Sequence, residues 1–263
     1  MAKHTAYSLT KAKTEGRKFA TVTAYDTTFA RLAEQADIEC VLVGDSLGNV
    51  IQGQRSTVPV SLDEMAYHTE NVSRSCEQSL VMVDLPFMSY ASPDQAIASS
   101  AALMQAGAQM VKMEGASWLV ETVSLMSERG IPVCAHLGLL PQSVDKQGGY
   151  RVQGKDQESA DQMLEDAVCF QEAGADILLL ECVPAALAKR ITESVNIPVI
   201  GIGAGPDTDS QVLVMYDLLG LSKRIPSFVK NYMETAESVQ QALSNYAKEV
   251  KSGAFPGEEH CLA

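Results

Sequence analysis

The sequence predicts an α/β chain closed into a single (β/α)₈ barrel of the TIM type, and three observations lead there. Short, apolar, β-branched-rich runs alternate with longer stretches of helical periodicity, the mark of repeated β-α units. The length of 263 residues is close to that of one such barrel. No Gly-x-Gly-x-x-Gly follows the first run, so the competing doubly wound sheet lacks its phosphate turn. One domain over residues 1–263 is the expectation.

The runs fall at 19–25, 40–44, 80–85, 110–113, 132–136, 177–180, 198–202 and 212–215, and eight is the number that closes a barrel. They are almost continuously apolar, which implies burial on both faces, as in a parallel sheet covered by helices. Between them, Pro93–Gln105 has Pro at its start and Gly107 just past its end, the asymmetry of a helix. Residues 118–129 and 159–173 read alike, closed by Gly130 and Gly174. The Gly/Pro-rich stretch at 253–260 is expected to lie over the surface.

The 33 acidic against 20 basic residues give a formal net charge of −13, which opposes phosphate-neutralising contacts with nucleic acid and repels anionic membranes. An anionic substrate would therefore need a local cation. Cys40, Cys76, Cys134, Cys169, Cys182 and Cys261 show no Cys-x-x-Cys pair or zinc-ligand spacing, and a reducing cytoplasm fits them best. No signal-like start and no bilayer-length apolar run stands out.

Barrel chemistry sits where strands end at the C-terminal face, so the residues there carry the functional reading. The run ends supply Asp26, then Asp45 with Ser46, Asp84, Lys112 with Glu114, His136, Glu181, and the glycines of Gly201 to Gly205. Asp26 precedes a helix-like stretch and reads equally well as a cap. Capping explains neither Asp45, which opens a long loop, nor Asp84, which precedes Leu-Pro-Phe. Asp45, Asp84 and Glu114 form an oxygen-donor set suited to a hard cation such as Mg²⁺, with Mn²⁺ equally compatible with the spacing.

Lys112 and Glu114 are two apart, so strand alternation turns both to one face, the barrel interior; a structural ion pair is the plainer reading. Glu181 leaves a strongly apolar strand, and desolvation there raises a carboxylic acid toward the working range of a general base. Its plainer reading is a carboxylate satisfied by backbone N–H groups or by Arg190. A lone His136 is as readily satisfied by neighbours as it is chemical, and the glycines after the seventh run suit either a tight turn or a phosphate cradle.

The motifs Ala24-Tyr-Asp26, Val43-Gly-Asp-Ser-Leu-Gly48, Asp84-Leu-Pro-Phe87, Val111-Lys-Met-Glu-Gly115, His136-Leu-Gly-Leu139, Pro141-Gln142, Gly149-Tyr-Arg-Val-Gln-Gly154, Leu180-Glu-Cys-Val-Pro184, Gly201-Ile-Gly-Ala-Gly205 and Pro256-Gly-Glu-Glu-His260 occur in that order. Together they resemble the ketopantoate hydroxymethyltransferases, within the phosphoenolpyruvate/pyruvate barrel superfamily. The resemblance implies transfer of a hydroxymethyl group from 5,10-methylenetetrahydrofolate to 3-methyl-2-oxobutanoate through a metal-stabilised enolate, the first step of pantothenate synthesis. It further implies Mg²⁺ on Asp45 and Asp84 with Glu114 completing or ordering the shell. Asp45, Ser46, Asp84 and Lys112 would contact the keto acid, Glu181 would be the proton acceptor, and the assembly would be a homo-oligomer, commonly a decamer. Ser210, Tyr216 and Arg151 depart from the family's usual Gly, His and Lys.

Two other readings compete. A related lyase or mutase acting on a 2-keto acid or phosphonate would carry a cysteine in a mouth loop, and 142–154 contains none. A barrel that only binds ligand would need no base beside a metal site.

Overall fold

The computed structural model describes residues 3–262; Met1, Ala2 and Ala263 lie outside the described residues. Eight parallel strands close into a barrel in sequence order. They are β1 (Phe19–Thr23), β2 (Cys40–Val43), β3 (Leu80–Asp84), β4 (Met110–Glu114), β5 (Val133–Gly138), β6 (Ile177–Glu181), β7 (Val199–Ile202) and β8 (Ser210–Leu213). The helices are α1 (Ala6–Thr14), α2 (Thr27–Gln35), α3 (Leu47–Val50), α4 (Leu62–Ser73), α5 (Pro93–Gln105), α6 (Val120–Glu128), α7 (Val144–Gln147), α8 (Gln157–Glu172), α9 (Ala185–Ser194), α10 (Met215–Leu218) and α11 (Val239–Ser252).

Strand parity divides the apolar residues into two cores. Val41, Val81, Val83, Val111, Val133 and Leu178 face the surrounding helices. Phe19, Leu42, Met82, Met110, Ile177, Leu179 and Ile200 fill the barrel, and Leu9 of α1 packs with them. The interior residues of one parity thus begin apolar and, nearer the C-terminal strand ends, become Asp84, Lys112, Glu114, His136 and Glu181. A period of two makes the same side chains that pack the barrel point, a step later, into its mouth.

Local signals set the helices. Ser61 and Glu64 cap α4 reciprocally, Ser92 caps α5 ahead of its N-terminal Pro93, and Asp156 caps α8. The helix expected at 118–129 starts instead with a 3₁₀ turn at Ser117–Leu119 before α6. The eighth strand lies earlier than 212–215. Its polar residues are satisfied internally, the Ser210 hydroxyl lying 3.0 Å from Thr21 Oγ1 and Gln211 Nε2 donating to Gly205 O and Thr208 Oγ1. Met215 instead opens α10 and donates its N–H to Thr23 Oγ1 at 2.9 Å. Polarity therefore hides the start of this strand from a hydrophobicity pattern, which catches only Val212 and Leu213.

No helix joins β7 to β8, although parallel neighbours usually need a crossover of about a dozen residues or more. Gly203 (φ +59°) and Gly205 (φ +77°) take left-handed conformations in the short return, and a side chain on Gly205 would stand 2.4 Å from Ala185. Of the two uses that suit these glycines, a tight turn or a phosphate cradle, the turn accounts for them. The seam of the barrel is β1 against β8, where the buried Tyr246 hydroxyl donates to Thr21 O (2.7 Å) or Gln211 O (2.8 Å). The tail is not wholly superficial: Phe255 is buried against Tyr232 and Tyr246, because its ring completes an aromatic cluster.

Candidate active site

The cavity at the C-terminal mouth has a volume of about 750 Å³, and its wall includes Asp45, Ser46, Asp84, Lys112, Glu114 and Glu181. All the site residues expected from the sequence thus meet in one place. Asp26 is the exception among the strand-end acids: its Oδ1 accepts the N–H groups of Thr28 (2.7 Å) and Phe29 (2.9 Å) and caps α2.

Register brings the charges side by side. Asp84 is paired across the sheet with Lys112, Glu114 with His136, and Gly138 with Glu181. Gly138 has φ +97°, and a Cβ there would lie 2.3 Å from Glu181 O; only glycine lets β5 leave the barrel so close to that backbone. Cys182, just after Glu181, holds φ +48°, an uncommon left-handed state for a side-chain-bearing residue that turns the chain away as the carboxylate stays at the mouth.

Asp84 has two distinct contacts. Its Oδ2 accepts the Asp45 N–H at 3.0 Å, and Lys112 Nζ stands 2.8 Å from Oδ1. Lys112 lies 3.2 Å from His136 Nδ1 and 3.9 Å from Glu114 Oε1. An ammonium can only donate, so Nδ1 is the acceptor and the imidazole proton belongs on Nε2, which lies 3.5 Å from Glu181 Oε2. Asp84, Lys112 and His136 are thus joined across β3 to β5, and Nε2, which has no hydrogen-bond partner among the described residues, faces Glu181 on β6. Arg190 pairs with Asp161 at 2.9 Å and does not serve Glu181.

Burial and the Asp84 charge raise Asp45 to about 7. Burial raises Glu114 well above the usual carboxylate range, with Lys112 opposing. Burial disfavours the Lys112 ammonium too, but Asp84, Glu114 and Asp45 outweigh it and hold its pKa above the ordinary lysine value. His136 is pushed well below its usual range by burial and by Lys112, so it is neutral. Burial lifts Glu181 to about 8 against the pull of Lys112.

One buried lysine faces four carboxylates here, and the crowding of Asp45 by Asp84 is the kind of repulsion that a divalent cation relieves. The donor set fits such an ion. Among the described residues, however, no three His, Cys, Asp or Glu side chains gather into a cage, and Glu114 Oε2 is engaged by the Gln142 N–H at 3.0 Å. Protein oxygens from Asp45 and Asp84 would have to be completed by substrate and water, the usual habit of Mg²⁺.

Gln142 carries a role that sequence spacing did not single out. It is buried, and its Nε2 donates to Asp45 Oδ2 and Leu85 O, both at 2.9 Å, while Tyr90 donates to its Oε1. It thus ties the loop after β5 to the ends of β2, β3 and β4. A glutamine one residue after a loop proline has no periodicity to betray it. Gln142→Leu is expected to lose about 3 kcal/mol of stability, because it strands several buried polar groups together. An unchanged denaturant midpoint would remove Gln142 from this network.

A family model described as ketopantoate hydroxymethyltransferase matches residues 3–258 of the chain. The 3-methyl-2-oxobutanoate hydroxymethyltransferase of Vibrio campbellii is 55% identical over 264 residues, covering 100% of both chains. A protein of Hahella chejuensis named 3-methyl-2-oxobutanoate hydroxymethyltransferase 2 is 55% identical over 97% of both. Among solved structures, phosphonopyruvate hydrolase in complex with oxalate and Mg²⁺ superposes with a TM-score of 0.61 at 14% identity, over 80% of this chain and 81% of that one. A 2,3-dimethylmalate lyase superposes with a TM-score of 0.59 at 16% identity, over 82% and 79%. At such low identity these two structures speak for the fold alone.

Proposed function

The chain belongs to the ketopantoate hydroxymethyltransferase family, and from that premise we propose that it moves a hydroxymethyl group from methylenetetrahydrofolate to 3-methyl-2-oxobutanoate with the help of a divalent cation. The observation that carries this reading is the Glu181 carboxylate, 16% exposed at the cavity, beside a buried acid pair and one buried ammonium. That combination suits deprotonation next to a chelated 2-oxo acid.

Asp45 and Asp84 would hold the cation, which when bound supplies Lewis acidity to the keto oxygen. Ser46, whose hydroxyl is 2.9 Å from that of Tyr25, would hold the keto acid together with Lys112. Glu181 takes the proton from the carbon beside the ketone, and His136 Nε2–H steadies the carboxylate as its charge changes. Lys112 holds His136 in the tautomer that permits this. The carbon freed of its proton would then bond to the methylene carbon of the folate as one of that carbon's two C–N bonds opens. Water supplies the hydroxyl as the second C–N bond breaks, and tetrahydrofolate leaves with its two nitrogens carrying the substrate's proton and one from water.

Deuterium exchange from D₂O into 3-methyl-2-oxobutanoate, with and without Mg²⁺ and without folate, tests the first half of this reaction by itself. Metal-dependent exchange is expected, and its absence in a folded protein would remove the proposal. The competing lyase or mutase reading predicts cleavage or rearrangement of 2-oxo acids or phosphonates without folate.

Lys112→Ala is expected to raise the KM for the keto acid about 10- to 100-fold, since it removes the local cation that a net −13 molecule requires. Metal titration should move far less, and Lys112→Arg should recover only part because a planar fork does not replace a compact ammonium. A keto-acid KM at the wild-type value in Lys112→Ala would sink the assignment.

A further inference from the structure

The keto acid is small and is served by the acids and Lys112 at the floor of the cavity, leaving the wall contributed by β8, α10 and the segment after it without a task. Val214, Tyr216, Asp217, Leu221 and Phe228 line that wall. Tyr216 is braced by Tyr25 and Phe29, at ring-centroid distances of 5.9 and 5.8 Å. Leu221 is 63% exposed, an apolar side chain held open to solvent at the mouth. Asp217 stands among these residues beside the Ser222 hydroxyl, which is buried and otherwise unpartnered. No Lys, Arg or His among the described residues pairs with its carboxylate.

Above this wall, Arg151, Lys223 and Arg224 are exposed and border the same cavity. Lys189 and Arg190 on nearby α9 are neutralised by Asp207 and Asp161, yet none of the three rim cations forms an ion pair among the described residues. In a molecule of net charge −13, three unpaired cations around one opening are a local reversal of field. An apolar wall, one carboxylate within it and cations at its rim call for a particular ligand: a flat heterocycle with a donor edge and an anionic tail.

We propose that this wall is the subsite of the one-carbon donor, in which Asp217 accepts the paired N–H donors of the pterin's 2-amino-4-oxo edge and Arg151, Lys223 and Arg224 receive the carboxylates of its glutamate tail. The inference rests on the folate reading above and adds the residues and a preference among donors. A carboxylate matches two parallel N–H groups in the manner of a bidentate guanidinium pair. Tyr216, Leu221 and Phe228 offer the ring its apolar contact, and exposed Leu221 is covered when the ring is seated. Each further glutamate adds an anion to the tail, so the rim favours the longer tail.

The test compares methylenetetrahydrofolate carrying one glutamate with the same cofactor carrying three. Wild type is expected to show a KM about tenfold lower for the triglutamate, the size that one or two exposed charge pairs supply, and the difference should shrink with salt. In Lys223→Ala/Arg224→Ala the preference should collapse to within about twofold. Asp217→Asn should raise the KM for both donors together, by about 10- to 100-fold, because an amide cannot accept both N–H groups. Folate-free deuterium exchange checks that each variant retains its keto-acid site. A wild type indifferent to tail length, a double variant that keeps the preference, or an Asp217→Asn KM near wild type would overturn the subsite. If wild type exchanges deuterium but no folate supports turnover, the donor itself is wrongly assigned, and this inference falls with it.

Discussion

Glu181→Gln is expected to slow deuterium exchange at the substrate carbon by about 10² to 10⁴, with keto-acid and metal binding retained. The substitution keeps the shape of the side chain and removes only its basicity. Burial holds Glu181 at about 8 in the metal-free site, and the divalent cation that exchange requires favours its ionised form. A base must be deprotonated, so exchange should rise with pH and then level, with an inflection below about 8. The Gln variant should lose the inflection along with the rate. Exchange within a few-fold of wild type in Glu181→Gln would pass the role of base to another group. His136 is the next to test, although burial and Lys112 keep it a poor proton acceptor.

Asp84→Ala should abolish metal-dependent turnover, on the order of 10³ or more, since several kcal/mol of Lewis-acid stabilisation disappear with the ion. The same change also frees the Asp45 N–H and leaves Lys112 without its 2.8 Å partner, so some structural loss is expected as well. Asp84→Asn separates the two effects, because its amide oxygen can still accept from Asp45 while the negative charge is gone. Adding Mg²⁺ should raise the melting temperature of wild type, by linkage of binding to folding, and should do so much less in either variant. An unchanged thermal response and metal titration in Asp84→Asn would exclude Asp84 as a ligand.

Much of this arrangement is legible in the sequence because strand alternation is strict. Lys112 and Glu114 had to share a face, and Asp84, His136 and Glu181 follow the same parity into the barrel. Between 198–202 and 212–215 the repeated β-α pattern implies a helix, and the structure has a glycine turn instead. Contacts that join distant loops were not legible: Gln142 reaches Asp45 across 97 residues, and nothing local at either position announces it. The Asp26 cap shows the converse difficulty, since an acid after a strand looks alike whether it meets a ligand or the next helix. The Lys112 to His136 contact settles a tautomer that no spacing can express.

The seam between β1 and β8 also bears on the order in which this molecule is made. Thr21 pairs with Val212, the most sequence-distant part of the sheet, whereas β2 to β6 pair with near neighbours along the chain. Joining such distant segments carries the largest loop-closure entropy, so its formation lags pairings between successive units. A chain caught before the Tyr246 hydroxyl reaches Thr21 and Gln211 would hold the acids, Lys112 and Glu181 on a partly curled sheet. It would still lack the wall that β8 and α10 complete. Competence toward the keto acid would then precede competence toward the second substrate during folding.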